Sequence, residues 1–259
     1  MECQNFITIN GDNIAREHIC CAFSDKKCAE GYELKKRWLK DEFPRGYVFR
    51  RLDERAKVFL EYGPAESAWV PVDAPDWLMT GCFWVSGKYK GQGYAKELLE
   101  SAVEDARRQG RHGLLAIVGM PKFHFLSDPK WLLRQGFVEV DALPTGFRLL
   151  ALPISPAATA GTAPEPRFAE CTRAGECDHK EGLVAYYSNR CPFTEYYVKG
   201  ELAATAELRG IPLKIIKLET AEQARRCPSP ATIFSLFHNG RYLTNDLSVG
   251  LEKQFDKKI

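Results

Sequence analysis

The sequence predicts an α/β protein in two parts, and three observations carry that reading. Short runs rich in β-branched and aromatic residues alternate with stretches of helical apolar spacing. The longest helical stretch opens directly on a glycine-rich turn. A segment of Pro, Ala, Gly, Thr and Ser (PISPAATAGTAPEP, residues 153–166) divides the 259 residues unevenly. It holds no large apolar side chain after Ile154, cannot offset its ordering entropy by burial, and reads as a linker.

In the first part, helices are expected over Asn13 to Ala22 and Ala29 to Glu42. GYVFRRLDE and AKVFLEYG follow as strands, then WLMTGCFWVS as a third. GYAKELLESAVEDARRQG is the clearest helix: Ala95, Leu98, Leu99, Ala102, Val103 and Ala106 keep the helical period, and Gly110 supplies the stop. LLAIVG reads as a buried strand, SDPKWLLRQG as a short helix started by Ser127 or Asp128, and FRLLALP as a closing strand. The second part reads as strand (LVAYYS), helix (Thr194 to Arg209), strand (LKIIKLE), a short piece with two prolines, a hairpin about Asn239-Gly240 and a final helix.

Composition narrows the class. With 45% hydrophobic and 27% charged residues the chain is an ordinary globular protein, and a formal net charge of +2 argues against a nucleic-acid partner. MECQNFITINGDN lacks the basic start and apolar core of a signal peptide, and no apolar run approaches membrane length, so we expect a cytoplasmic protein without a membrane partner. Nine cysteines, an odd number without a secretory signal, imply reduced thiols rather than a disulfide framework.

The turn KYKGQGYAKELLE, residues 88–100, raises the question of function. Amides at a helix start lack intrahelical partners and carry the positive end of the helix dipole, and glycine lets a ligand approach the backbone. The stretch is therefore an anion site or simply a turn; it is neither a P-loop nor GxGxxG. Lys90-Gly91-Gln92-Gly93-Tyr94-Ala95 resembles the pyrophosphate loop of the GNAT N-acetyltransferases, patterned Q/R-x-x-G-x-G/A. WLLRQGFVEV resembles that family's short helix and strand beside the coenzyme, and the element order over residues 5–152 is similar.

The resemblance implies a GNAT fold, a mixed central sheet flanked by helices, with acetyl-CoA as cosubstrate. It implies that amides from Gln92 through Gly93, Tyr94 and Ala95 to Lys96 hold the pyrophosphate, beside Lys90 and Gly91. The strand carrying Phe83 and Val85 would splay from LLAIVG and offer its backbone to the pantetheine arm. Lys90 stands where the family has Gln or Arg, keeping a charge but losing the fork geometry. The tyrosine that often serves the family as general acid is replaced by Leu132, beside Trp131.

Acetyl transfer needs a neutral amine, a donor for the tetrahedral oxyanion and a proton for the departing thiolate. Candidates for the proton work are His124, Ser127, Cys82, Glu61, Asp73 and Asp76, and imidazole chemistry favours His124 among them. Each also has a plain structural reading, as a packed histidine, a core strand residue or a solvated carboxylate. We expect direct transfer to the amine of a small molecule, without an acyl-enzyme.

In the second part Cys191-Pro192 sits where a strand yields to a helix. It resembles the active-site corner of thioredoxin-like domains, with Pro228-Ser229-Pro230-Ala231 similar to their cis-proline loop. Thr194 replaces the second cysteine of C-x-x-C, so two-cysteine cycling is not expected, while a helix start could still favour a Cys191 thiolate. The combination resembles the YoaP-like acetyltransferases. The expected division is 1–152 for the GNAT unit, 153–169 for the linker and 170–259 for the thioredoxin-like unit; a homodimer stays open. His18, Cys20, Cys21 and Cys28, and Cys171, Cys177, His179 and Cys191, are grouped in sequence but lack paired metal-ligand spacing, and no metal is assigned. A second reading keeps the fold as a non-catalytic, CoA-binding thiol or metal sensor.

Overall fold

A computed structural model describes residues 6–259. The chain enters through β1 (Phe6–Ile9), reaches α1 (Ala29–Glu42), and turns into the antiparallel strands β2 (Val48–Leu52) and β3 (Val58–Pro64). After a two-residue strand β4 (Val72–Asp73) come β5 (Leu78–Val85), α2 (Tyr94–Arg108), β6 (Gly113–Gly119), α3 (Pro129–Arg134), β7 (Val138–Ala142) and β8 (Phe147–Pro153). These build a seven-stranded sheet in the order β1-β2-β3-β5-β6-β8-β7. Only β5 and β6 run parallel, which makes the sheet mixed.

Helix α2 covers one face. Leu98, Leu99, Ala102 and Ala106 are buried against Leu60, Tyr62, Leu114, Ala116 and Leu150, and each leucine contributes roughly 1.5–3 kcal/mol. Helix α1 covers the other face with Trp38 and Leu39 against Phe49 and Phe59, whose rings stack at 5.2 Å.

The helix expected from Asn13 is absent, and Phe6–Ile9 form a strand where the sequence pattern predicts no element. Residues 10–22 form successive turns in which the Asn10 Oδ1 accepts from the amides of Asp12 and Asn13 at 2.9 and 3.2 Å, and Cys20 and Ala22 adopt positive φ. Ile14 and Ile19 are nevertheless buried, so the helical apolar spacing served packing rather than a helix.

The Pro- and Ala-rich stretch contains a one-turn helix, α4 (Pro156–Thr159), capped by the Ser155 hydroxyl, and leads to β9 (Arg167–Phe168), which pairs with β4. The rest forms β10 (Leu183–Ser188), α5 (Thr194–Tyr196), a π-helical stretch (Tyr197–Leu202), α6 (Ala203–Leu208), β11 (Leu213–Leu218), α7 (Ala221–Arg225), β12 (Phe234–His238), β13 (Arg241–Thr244) and α8 (Glu252–Lys258). Its four strands are ordered β11-β10-β12-β13, with β10 and β11 parallel and the others antiparallel. The expected single helix from Thr194 is thus interrupted by π geometry. The peptide bonds before Pro228 and Pro230 are trans, so the cis-proline resemblance does not hold.

The two sheets share apolar clusters. Leu218, Ala224 and Cys227 pack with Trp38, Phe49 and Trp69, and Ala231 and Tyr242 pack with Phe147 and Val70. Arg225 donates to the carbonyls of Ala65 and Glu66 at 3.1 and 2.6 Å. Gly31 of α1 lies so close to the Cys191-Pro192 corner that a Cβ there would stand 2.1 Å from the Pro192 carbonyl oxygen.

Candidate active site

Strands β5 and β6 pair only through Leu78 with Leu114 and Met79 with Leu115. Beyond that point they part, and the Thr80 hydroxyl bridges the fork to the Leu115 carbonyl at 2.8 Å. The β6-facing backbone of Gly81 to Val85, including Phe83 and Val85, is left without a strand partner. The turn from β5 into α2 closes on itself: Gln92 Nε2 donates to the Lys88 carbonyl at 2.5 Å. Gly91 and Gly93 hold φ of +77° and +90°, the left-handed region that glycine enters freely. Gly93 caps α2 without a side chain. Among the described residues, the amides from Gly91 to Ala95 have no backbone or side-chain acceptor. Lys96 differs from expectation, since its amide already donates to the Gly93 carbonyl at 2.9 Å. Five consecutive free amides, with exposed Lys90 beside them, can hold an anion at this helix start.

The open fork leads into a cleft of about 310 Å³ walled by both units. The first unit supplies Phe59, Val70, Cys82, Phe83, Trp84 and Ile117, with Phe125, Leu126 and Ser127 from the loop after β6; the second supplies Arg190, Cys191, Phe193, Ala231, Ile233 and Leu247. The walls are mostly apolar. Trp84 and Phe125, 47% and 48% exposed, stand at its mouth. Arg190 is its one buried charge: Nη1 donates to Thr232 Oγ1 at 2.9 Å and to the Trp69 carbonyl at 3.2 Å.

Behind the cleft lies a buried polar group built on Glu61, the lone carboxylate of β3. Lys35 Nζ meets Glu61 Oε1 at 2.5 Å, and Tyr47 Oη donates to Glu61 Oε2 at 2.8 Å. Burial works against the Lys35 charge, yet the Glu61 carboxylate outweighs it and holds the ammonium above its ordinary range. Burial, reinforced by Glu61, holds the Tyr47 hydroxyl protonated. Glu61 sits at a bulge of β3 opposite the Gly81-Cys82 stretch, engaged on both oxygens. The three cleft thiols respond to the same surroundings. Burial, with Glu61, pushes Cys82 up to about 12; burial, with Cys82, does the same for Cys191; and burial pushes Cys21 up to about 12. At Cys191 burial in an apolar wall opposes the thiolate that a helix start could favour.

Residues 13–123 match the model of the acetyltransferase (GNAT) family, and residues 212–257 match a YoaP-like model. A protein of Bacillus subtilis (strain 168), described as the uncharacterized N-acetyltransferase YoaP, is 39% identical over 242 residues, 93% of this chain and 94% of that one. The chain belongs to the YoaP-like N-acetyltransferases of the GNAT family. It is accordingly an acetyl-CoA-dependent acyltransferase. Among solved structures it is similar to the GNAT protein YhbS of Escherichia coli with CoA (TM-score 0.41, 16% identity, 64% of this chain and 89% of that one). It is also similar to YncA of Salmonella typhimurium with acetyl-CoA (TM-score 0.40, 14% identity, 58% and 94%).

In this YoaP-like chain the structure gathers some predicted residues and separates others. Cys82, Ser127 and Cys191 line one cleft although they come from three distant segments. His124 does not join them; its side chain is 74% exposed, with Nε2 3.6 Å from Asp246 Oδ2. Asp73 pairs with Arg167 at 3.3 Å and Asp76 lies near Arg111 at 3.8 Å, both exposed and outside the cleft. Leu132 is buried under α2, and Trp131 packs edge-on against Phe83 at 5.4 Å, so the helix that often carries the family's tyrosine presents none here. The two cysteine–histidine sets do not converge: His18 is engaged by the Glu54 carbonyl, His179 by Lys214, and Cys171 by the Cys227 carbonyl. Among the described residues no three His, Cys, Asp or Glu side chains form a metal-binding group, and no helix is long and apolar enough to cross a membrane. Arg190 was missed; only its position beside the Cys191-Pro192 corner could have drawn notice.

Proposed function

We propose that this acetyltransferase moves the acetyl group directly from acetyl-CoA to the amine of a small molecule held in the cleft between its two units. The observation that carries the reading is the fork between β5 and β6, which opens on one side to five free amides and on the other to the cleft. The amides from Gly91 to Ala95, with Lys90 beside them, would take the pyrophosphate, and the free edge of β5 along Phe83 and Val85 the pantetheine arm. The acetyl carbonyl would then meet Cys82, Ser127 and Cys191.

The neutral amine attacks the thioester carbon; the C–N bond forms, the oxyanion collapses, and the C–S bond breaks. The proton that the nitrogen sheds ends on the coenzyme sulfur, so the balance closes without a nucleophilic side chain. Thiols held up to about 12 are protonated near neutrality, which suits wall groups and not an acyl-enzyme. The second unit reads as thioredoxin-like: a parallel pair extended by an antiparallel pair, with Cys191 at the start of its helix. With one cysteine at that corner, we assign it to substrate binding and not to redox cycling. Under this reading the division falls at residues 1–152 and 170–259.

Intact-mass analysis after mixing with acetyl-CoA alone should show no added acetyl group. A Cys82→Ala/Cys191→Ala variant should keep turnover within ~10-fold, as the loss of two wall groups that are not nucleophiles. A stable acetyl adduct on either cysteine would sink direct transfer.

A further inference from the structure

Among the described residues Arg190 is a buried cation with no carboxylate in ion-pair contact. It is 8% exposed, its Nη1 is taken by Thr232 and the Trp69 carbonyl, and no carboxylate of the described residues lies within 4.0 Å of it. The nearby acids are bonded to other groups: Glu42, which also feels the Arg190 charge, receives Arg45 at 2.7 Å, and Glu61 receives Lys35 and Tyr47. Trp38 offers only an aromatic face, 5.9 Å away. Among the described residues the rest of the guanidinium has no acceptor, and the side chain lines the cleft. An unpaired charge at such depth is costly unless an anion joins it, and the planar fork of arginine matches a carboxylate. The other cleft cation, Lys57, is exposed, and the remaining walls are mostly aromatic and aliphatic, with only the uncharged Thr80, Ser127, Thr232, Asn245 and three thiols as polar groups.

We infer that Arg190 anchors the anionic group of the acyl acceptor, so that the YoaP-like unit selects an amino acid or similar amine bearing a carboxylate and an apolar body. The inference rests on the cleft being the acceptor site of the acetyltransferase. The charge meets Arg190 on the second unit, the apolar body lies along Phe193, Ile233 and Leu247, and the amine points toward the fork. A volume of about 310 Å³ accommodates a single amino acid and excludes a folded polypeptide. Decarboxylated amines would leave the guanidinium buried and unpaired, the situation in which a polar site discriminates most strongly.

The test uses the full-length protein loaded with CoA and product-like probes that differ in one group: N-acetyl-L-phenylalanine and N-acetyl-L-leucine against their neutral carboxamides. Calorimetry should show at least one acid binding ~30-fold or more tighter than its amide, the expected penalty for leaving the cation unpaired. Arg190→Gln should erase that ratio, Arg190→Lys should keep part of it, and acetyl-CoA should bind both variants as it binds the parent. If Arg190→Gln fails to fold, Arg190→Lys carries the comparison. Acids that bind no tighter than amides, or a ratio that survives in the variants, overturn the proposal and leave Arg190 as a bridge between the two units. Failure of CoA to bind the parent protein would be a separate result. It would remove the coenzyme reading, and the same acid-to-amide ratio on the coenzyme-free protein would still decide the role of Arg190.

Discussion

Replacing Gly93 by aspartate places a side chain and a negative charge at the helix start where the pyrophosphate is expected. Two terms add. The backbone there has φ of +90°, and a left-handed conformation costs an L-residue roughly 1–2 kcal/mol. The charge matters more. At about 5 Å from a phosphate, Coulomb energy runs from ~0.8 kcal/mol in water to ~3 kcal/mol at an effective dielectric of 20. Two phosphate charges double that, so affinity should fall at least ~100-fold. Glu97 Oε1 lies 3.6 Å from where the new Cβ would stand, and like charge would press the new carboxylate away from it. Gly93→Ala carries the backbone term without the charge and should lose no more than ~30-fold in affinity, from strain alone. Titration calorimetry with acetyl-CoA measures both variants, circular dichroism confirms their fold, and the gap between them should narrow as salt rises. An aspartate variant that binds within about 3-fold of the alanine variant would refute the assignment of these amides, because charge would then make no difference.

Two further predictions concern the framework behind the cleft. Lys35→Met leaves Glu61 buried with one partner and should cost about 3–5 kcal/mol in urea denaturation, whereas Lys35→Met/Glu61→Leu should recover most of it; equal losses in both would refute the pairing. Because the Lys35 pKa is raised on folding, its contribution is present below the unfolded lysine value, ~10.4, and is lost only as pH rises through the folded value. Gly31→Ala in α1 would ordinarily stabilise a helix by about 1 kcal/mol, but here the added methyl meets the Pro192 carbonyl, and a lowered melting temperature with weakened acceptor binding is expected. A raised melting temperature would show that the corner does not press on α1.

The parts legible in the sequence were those whose physics is local. Strands β2, β3, β5, β6 and β8 announce themselves by dense β-branched, aromatic and leucine residues, α2 by its period, and the turn before α2 by glycines that adopt positive φ. The error over residues 13–22 has the same root: apolar spacing records which residues are buried, and here Asn10 turns and positive φ at Cys20 and Ala22 bury them without a helix. His124 was drawn in by its nearness to β6 in sequence, while the loop turns it toward Asp246. Glu61 did carry a signal, a lone carboxylate in the apolar run VFLEYGP, and such a residue is buried only with a partner. Nothing local marks Lys35 as that partner or Arg190 as a cleft residue, because both facts depend on how the two sheets meet.

That meeting also determines how the two units can be separated experimentally. The segment from Ala65 to Val72 belongs to the first unit, yet its exposed carbonyls and apolar side chains are answered by the second. Arg225 binds the Ala65 and Glu66 carbonyls, Arg190 and Thr232 bind that of Trp69, and Ala231 packs near Val70. Asn245 adds a bond to the His124 carbonyl at 2.8 Å, which fixes the loop carrying Phe125 and Ser127 into the cleft wall. Removing residues 170–259 would therefore uncover Trp38, Trp69 and Val70 together, and a contiguous apolar face of that kind promotes aggregation. A truncated first unit that failed to turn over would say nothing about acceptor recognition, since the loop, the wall and the shared core would be lost at once. Substitutions at Arg190, read through the acid-to-amide ratio, keep the apolar residues of that core, which is why they can separate recognition from folding.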